Sequence, residues 1–394
     1  MSVFAGKHIL IVIENLPAPF DRRVWQEATT LKENGAKVSI ICPKMKGYDK
    51  SYELIDEIEI YRHPLREGKG ALGYLVEYSQ AIFWEFFLSW KIFIKKRFQV
   101  IHGCNPPDLI FITALFFKIF GVRYVFDHHD INPELYISKF NKKGFFYKTM
   151  VFFEKLTFMT ANYSIATNES YKKIAIERGN MNPEKVQVVR SGPKLNRLKI
   201  QPPKQELKNG KKYLIGYIGV IGEQEGLDLL LESAKYMLTK RNDFHFGIVG
   251  GGTHLDDIKK LTKEFNLDDY FTFYGRVDDQ KMIDVLNTAD VCVNPDTPTE
   301  MNNLSTMNKI MEYMALKKPI VQYTLKEGKF SAEKASLYAK NTDVKDFADK
   351  IISLLNNEEK RKEMGDYGYN RVKTQLSWDY ESKKLVNFYK KILS

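Results

Sequence analysis

Two passages in which short apolar runs alternate with helix-period segments, parted by one polar stretch, constrain this 394-residue chain more than any single motif. In the first passage HILIVI (8–13), KVSIIC (37–42), IEIYRH (58–63), QVIHG (99–103), RYVFD (123–127), YSIAT (163–167) and VQVVR (186–190) have the length and β-branched content of strands. Helical spacing fills the gaps at 21–34, 72–97, 107–119, 144–160 and 169–178. Strand-helix repetition predicts a parallel, doubly wound sheet. The stretch KLNRLKIQPPKQELKNGKK (194–212) is Pro- and Lys-rich without periodicity and reads as a linker. The alternation then restarts with strands expected at 213–219, 245–250, 271–275, 290–295, 319–323 and 335–339, and helices at 226–239, 254–265, 279–287 and 304–316. The expected fold class is α/β, with two doubly wound Rossmann-like domains facing across a cleft. The first spans 1–193, the linker 194–212 and the second 213–375, and a helix within 376–394 is expected to return to the first domain. Loops at the C-terminal ends of both sheets would line that cleft, where open α/β folds bind ligands.

Composition narrows the class. An apolar fraction of 44% supports a sizeable core. Cys42, Cys104 and Cys292 are odd in number and lack CxxC or Cys/His spacing, so neither a disulfide frame nor a zinc site is expected, and a reducing, cytoplasmic setting fits. The opening MSVFAGKHILIVIENLP has the short apolar run of a strand rather than a secretory leader. Glu85 and Lys91 interrupt the most apolar region, 72–94, which argues against a spanning helix. The net charge of +11 is compatible with phosphorylated substrates, anionic lipid or nucleic acid. No nucleic-acid recognition motif is present, so that partner is not expected. The positive charge gathers in 91–97 (KIFIKKR) and 139–155 (KFNKKGFFYKTMVFFEK), interleaved with aromatics, as suits peripheral contact with an anionic membrane. Helix core is the other reading of the same aromatics.

Candidate chemistry concentrates in 295–319, NPDTPTEMNNLSTMNKIMEYMALKKP. Asn302 or Asn303 can cap a helix starting near Leu304, whose free N–H groups offer an anion site together with Ser305 and Thr306. Ser305, Lys309 and Glu312 then fall at i, i+4 and i+7, so a hydroxyl, a cation and a carboxylate share one stripe. An ordinary amphipathic helix is the plain alternative. The loop from Gly219 through Val220 and Gly222 to Gly226 follows a strand and opens a helix, so its backbone can approach a phosphate. Gly250 and Gly251 offer a second close approach, and Arg276 could line a base pocket. In the first half, FDHHDINPELY sets His129 and Asp130 just after a strand, where a His can meet a substrate hydroxyl. His102, Asn15, Arg22 and Arg23 are placed to line the same cleft. No Ser/His/Asp elbow, Walker loop or HExxH occurs, which weighs against hydrolase and ATPase chemistry.

Six stretches in order, ENLPAPFDRRVWQEA (14–28), HGCNPPD (102–108), FDHHDINPELY (126–136), VVRSGP (188–193), YIGVIGEQEGLD (217–228) and LSTMNKIMEYMALKKPIV (304–321), resemble the retaining GT-B glycosyltransferases of family four that build bacterial polysaccharides. The resemblance implies a nucleotide-sugar donor, with UDP expected, held by the second domain. A lipid-linked saccharide hydroxyl is the expected acceptor, at the inner face of the cell membrane. It implies no cofactor beyond that co-substrate, and no metal. By the same resemblance Glu312 holds the ribose hydroxyls, Lys309 the diphosphate, and His129 the donor sugar near its anomeric carbon. Two departures stand out. Leu304 occupies the place of the first Glu of the family's Glu-x7-Glu motif, and Val220 and Glu225 replace the usual loop cations. A nucleotide-sugar epimerase of the same fold and a non-catalytic nucleotide-sugar-binding protein remain open alternatives.

Overall fold

The computed structural model describes residues 3–65 and 70–394. The chain divides into two compact units, one formed by the residues through Ser191 with Glu381–Ser394, the other by Gly192–Tyr380.

In the first unit the elements run β1 (His8–Ile13), α1 (Arg22–Glu33), β2 (Lys37–Pro43), β3 (Tyr52–Ile55), β4 (Ile58–His63), α2 (Gly70–Lys95), β5 (Val100–Cys104), α3 (Phe111–Lys118), β6 (Arg123–His128), α4 (Asn132–Phe140), α5 (Phe145–Thr160), β7 (Tyr163–Ala166), α6 (Glu169–Glu177) and β8 (Val186–Val188). They form an eight-stranded sheet in the order β3-β4-β2-β1-β5-β6-β7-β8. Every pairing is parallel except β3 with β4. All six residues of β1 are buried, as expected for a central strand with helices on both faces. Direction along the sheet reverses at β1, which has β2 on one side and β5 on the other. Asp21 starts α1 by accepting the Val24 N–H at 2.9 Å, a side-chain cap that ends the loop after β1.

The second unit contains β9 (Tyr213–Ile218), α7 (Leu227–Leu238), β10 (Phe244–Val249), α8 (Leu255–Glu264), β11 (Phe271–Gly275), α9 (Asp279–Thr288), β12 (Val291–Asn294), α10 (Glu300–Leu304), α11 (Asn308–Ala315), β13 (Ile320–Tyr323), α12 (Lys326–Ala332), β14 (Ser336–Ala339), α13 (Val344–Leu355) and α14 (Glu358–Arg371). Its six strands are all parallel, in the order β11-β10-β9-β12-β13-β14. Here the reversal falls at β9, between β10 and β12. A last helix, α15 (Trp378–Leu393), places Leu385, Phe388, Tyr389 and Ile392 in the core, and its Glu381 carboxylate accepts the Arg190 N–H at 3.0 Å.

Three details differ from the sequence reading. The stretch 194–212, expected as a linker, belongs to the second unit and packs along α9. Leu198 and Leu207 are buried beside Ile283 and Leu286, and the Gln201 and Lys204 N–H groups bond Asn287 and Thr288 at 3.0 and 2.9 Å. The expected helix 304–316 is two helices, because the chain leaves α10 at Ser305 and resumes only at Asn308. Finally β3, α4 and α12 are additional elements that the apolar periodicity did not mark.

Loops at the C-terminal end of the second sheet are docked backbone to backbone. The Gly219 and Ile221 N–H groups donate to Val249 and Gly251 carbonyls, each at 3.1 Å, and the Gly250 N–H donates to Gly275 at 2.9 Å. Gly250 has φ +137°, and a Cβ there would lie 1.8 Å from the Gly219 carbonyl oxygen. Gly250→Ala should therefore destabilise the second unit by about 2–4 kcal/mol in urea unfolding. Gly275→Ala, also at positive φ but facing open space, should lose only about 1 kcal/mol.

Candidate functional site

The reversal between β9 and β12 is where a doubly wound sheet leaves a crevice at its strand ends. Gly219 follows β9 and Asp296 follows β12, so both lie at that point. Lys309 reaches it from the first turn of α11. Its Nζ is 2.6 Å from Asp296 Oδ1, 4.9 Å from the centre of the Tyr217 ring and 3.6 Å from the place a Gly219 Cβ would occupy. The pair is well buried, with side-chain exposures of 10% for Lys309 and 1% for Asp296, so neither charge could sit there alone. Burial nevertheless pushes the Asp296 carboxyl above the usual carboxylate range, Lys309 opposing the shift. The buried Asn294 lies beside the same carboxyl and also opposes the shift. Glu225, from the Gly219 loop, also feels Lys309, and burial pushes its carboxyl up as well.

The N–H groups expected to face a phosphate are largely used inside the protein. Gly219, Ile221 and Gly250 donate to carbonyls as described, and the Gly222 N–H donates to Glu225 Oε2 at 2.9 Å. Gly251 supports the Arg276 stem, whose Cγ would be 3.2 Å from a Cβ at that position, while Arg276 itself and Val220 are exposed. Neither Asn302 nor Asn303 caps the Lys309 helix. Asn302 lies within α10, is buried, and donates to the Gln224 and Thr297 carbonyls at 2.9 Å each, tying α10 to the glycine loop. Asn303 Oδ1 accepts the Lys326 N–H at 2.8 Å. Thr299 caps α10 instead, its Oγ1 accepting the Asn302 N–H at 3.1 Å. Leu304 ends α10, and Ser305 and Thr306 form the break before α11, so Ser305 does not share a helix with Lys309 and Glu312. Met307 precedes α11 without a side-chain cap, which leaves the helix's positive end next to Lys309. Glu312, one turn on, is engaged by Arg197, a residue the sequence reading left within the linker.

In the first unit the strand ends β1, β5 and β6 carry a buried ionic network. Arg23 grips Asp127 with two bonds, Nη2 to Oδ1 at 2.8 Å and Nε to Oδ2 at 3.2 Å. It also lies 3.0 Å from Glu27 and donates to the Val189 carbonyl at 2.9 Å and Ser191 Oγ at 3.0 Å. His129 Nε2 lies 2.5 Å from Asp127 Oδ2 and 2.9 Å from Arg23 Nε, and its backbone N–H donates to Asn105 Oδ1 at 2.6 Å. Asn105 also accepts the Asp130 N–H at 3.2 Å. Burial works against the Asp127 carboxylate, yet Arg23 and His129 hold it well below its usual range, and Asp127 in turn holds the His129 imidazole well above its own despite burial. A His129 that stays protonated can donate to a substrate oxygen but not take a proton from one.

Two expected cleft residues are structural parts of this network. Arg23 is only 7% exposed, and His102 is fully buried, with Nδ1 2.6 Å from the Tyr389 hydroxyl of α15 and Nε2 3.2 Å from Asp127. Neither lines an open surface. Asn15 and Arg22 are exposed, and Asp130 is half-buried. His128, the other member of the pair, is enclosed by Phe126, Phe158 and Tyr171, and burial drives its pKa down to about 3. The ligand atoms of Glu27, His102, Cys104 and Asp127 lie within 4.8 Å of one another. Arg23 already supplies those carboxylates with the positive charge that a metal would otherwise bring. Glu14, at the end of β1, is a further acid that sequence reasoning passed over: it is 2% exposed, and burial pushes its carboxyl up to about 8, Glu77 adding to the shift.

Comparison with known proteins agrees with this division. The family model for Glycosyltransferase Family 4 matches residues 21–197, and that for Glycosyl transferases group 1 matches 199–371. A poly(ribitol-phosphate) α-N-acetylglucosaminyltransferase of Staphylococcus aureus is 26% identical over 45% of this chain and 35% of its own length. The S. aureus capsular polysaccharide biosynthesis glycosyltransferase CapM is 25% identical over 64% of this chain and 67% of its own. The chain thus spans about a third of one of these relatives and two thirds of the other. Among solved structures, sucrose-phosphate synthase from Thermosynechococcus elongatus superposes with a TM-score of 0.80 at 17% identity, covering 98% of this chain and 99% of that one. Anabaena HepE in complex with UDP and glucose gives 0.73 at 12%, over 98% and 100%. With two parallel-sheet α/β domains and family matches that run nearly unbroken from residue 21 to residue 371, the chain belongs to the GT-B glycosyltransferases of family four.

Proposed function

We propose that the chain is a retaining glycosyltransferase that moves a hexose-type sugar from a nucleotide diphosphate, UDP first among the candidates, to a hydroxyl of a lipid-linked saccharide in surface polysaccharide assembly. The observation that carries this reading is the pairing, on α11 at the β9/β12 reversal, of Lys309 in the first turn with Glu312 one turn on. An ammonium beside an uncapped helix N-terminus suits a diphosphate, and a carboxylate suits the vicinal hydroxyls of a ribose. UDP is favoured because HepE is described with UDP and glucose.

In the reaction, the bond from the sugar's anomeric carbon to the diphosphate oxygen breaks and a bond to the acceptor oxygen forms on the same face. The acceptor's proton passes to an oxygen of the departing phosphate, so no side-chain base is required. Positive charge grows on the ring and negative charge on the diphosphate. Lys309 and the α11 amides stabilise the latter, which gives the protein's own cation the part a metal would otherwise take. Protonated His129 donates to a hydroxyl of the donor sugar.

Membrane contact at the cytoplasmic face rests on the first unit's surface. Phe83, Phe87 and Ile94 of α2, Ile119 just past α3, and Phe145 and Phe152 of α5 are 50–79% exposed among Lys91, Lys95, Lys118, Lys142, Lys143 and Lys148. Helix α3 touches both α2 and α5, so these residues share one region. No helix among the described residues is long and apolar enough to cross a membrane, and a peripheral seat on an anionic leaflet fits that composition.

UDP, GDP and ADP should be compared for thermal stabilisation of the protein. One base's diphosphate should raise Tm, and both Glu312→Ala and the double variant Lys309→Ala/Asp296→Asn should abolish the shift. A shift that survives both would remove the clasp. Lys309→Ala alone leaves Asp296 buried without its partner. A carboxyl whose folded pKa lies above its unfolded value adds stability below the unfolded pKa and loses it as pH rises through the folded one. The single variant's Tm should therefore fall as pH rises from the ordinary carboxylate range, more steeply than wild type, and Asp296→Asn should flatten the profile. Sedimentation with vesicles containing phosphatidylglycerol should recover the protein, and Lys142→Glu/Lys143→Glu/Lys148→Glu should release at least half of it at physiological salt. Unchanged sedimentation would reject the membrane seat.

A further inference from the structure

Glu312 is not free to swing. Arg197 Nη2 is paired with its Oε1, and the other arm of the same guanidinium, Nη1, is 3.1 Å from Asp279 Oδ1. The two carboxylates come from different elements, Asp279 from the first residue of α9 and Glu312 from the middle of α11, and Arg197 bridges them. Its backbone is anchored on both sides. Leu198 is buried in the core with Ile283 and Met311, Leu195 packs against the same cluster, and the Lys199 carbonyl accepts from Asn287 Nδ2 at 3.0 Å. The bridge is largely shielded, Arg197 and Glu312 side chains being 22% and 13% exposed. A planar guanidinium can meet two acids at once, which a single ammonium point charge does less well.

A carboxylate has roughly four lone-pair positions on two oxygens. With Arg197 on Oε1, the carboxylate is held in one orientation, which is the geometry needed for it to accept two O–H donors from neighbouring carbons. Left alone, a Glu side chain loses rotamer freedom when a ligand fixes it, and here that ordering precedes the ligand.

We infer that Arg197 is the positioning residue of the donor site: by bridging Asp279 and Glu312 it aims the Glu312 carboxylate at the 2′,3′-diol of a ribonucleoside diphosphate. This rests on the reading that Glu312 takes the ribose, and it adds a determinant of ribose specificity outside the family motif.

Calorimetry on the full chain would compare UDP, GDP and ADP with their 2′,3′-dideoxy counterparts. Wild type should prefer the ribonucleotide of its own base by about 10- to 100-fold, as expected for two hydrogen bonds to a charged group. Glu312→Gln should erase most of that preference. Arg197→Met should cut it about 10-fold while leaving the dideoxy affinity unchanged, and Arg197→Lys should restore part of it. If Arg197→Met weakens both ligands equally, or leaves the preference intact while Glu312→Gln removes it, the positioning role is overturned and the ribose reading stands. If wild type shows no preference, or Glu312→Gln keeps it, the ribose reading itself falls. Should Arg197→Met fail to fold, Asp279→Asn, which removes only the second anchor, should lower the preference without changing the dideoxy affinity, and an unchanged preference there would also overturn the role.

Discussion

A buried ammonium-carboxylate pair, Lys309 with Asp296, is the interaction around which the second unit's strand ends are arranged. Isolated charges of this kind would be expelled or neutralised, so the surrounding residues must hold the pair together and cover it. Tyr217 lays its ring against the ammonium, and its hydroxyl bonds the Val220 carbonyl at 2.9 Å. Asn302 reaches from α10 to hold the loop at Gln224 and Thr297. The glycines belong to the same arrangement. At Gly250 and Gly252 any side chain would strike the Gly219 loop within 2.2 Å, so they serve the close approach of one loop to another.

The first unit solves a similar problem with more partners. Arg23 sits between Asp127 and Glu27, and the remaining edge of Asp127 is taken by His102 and His129. Every member is buried except His129, whose side chain retains 12% exposure, so one imidazole is the part of the network that a ligand can meet. Tyr389 of α15 closes the far side through His102. The position of His129 thus depends on a residue near the chain's end, through His102 and Asp127, and on an arginine in α1.

The parallel sheets were legible because both faces are covered by helices, which makes a central strand such as HILIVI apolar throughout. β3 was not, since Tyr52–Ile55 is a four-residue edge strand with alternate exposure and two acidic neighbours. Lys309 and Glu312 were found from helical spacing, but the same spacing enlisted Ser305, and periodicity cannot reveal that the backbone breaks at Ser305–Met307. His102 and Arg23 looked like ligand contacts because polar residues beside strand ends usually are, whereas here both are held by Asp127 and Glu27. Arg197 and Asp296 were invisible for the converse reason. One lies in an aperiodic Lys-rich stretch and the other in a Pro/Thr loop, and only the fold brings them against Glu312 and Lys309.

The charge balance at the clasp also bears on the substitutions at Val220 and Glu225. Where two loop cations would be expected by resemblance, this loop contributes an acid, and Asp296 adds another, so Lys309 is outnumbered before any ligand arrives. Burial moves both carboxyls above the usual carboxylate range, and Lys309 opposes the shift in each. A site that had merely decayed would have no need of a buried ion pair, which is less stabilising than an apolar filling of the same volume, nor of glycine backbone held at φ +154° and +137° to cover it. The arrangement is an ammonium fixed in a buried place by an internal carboxylate, with the glycine loops packed over it.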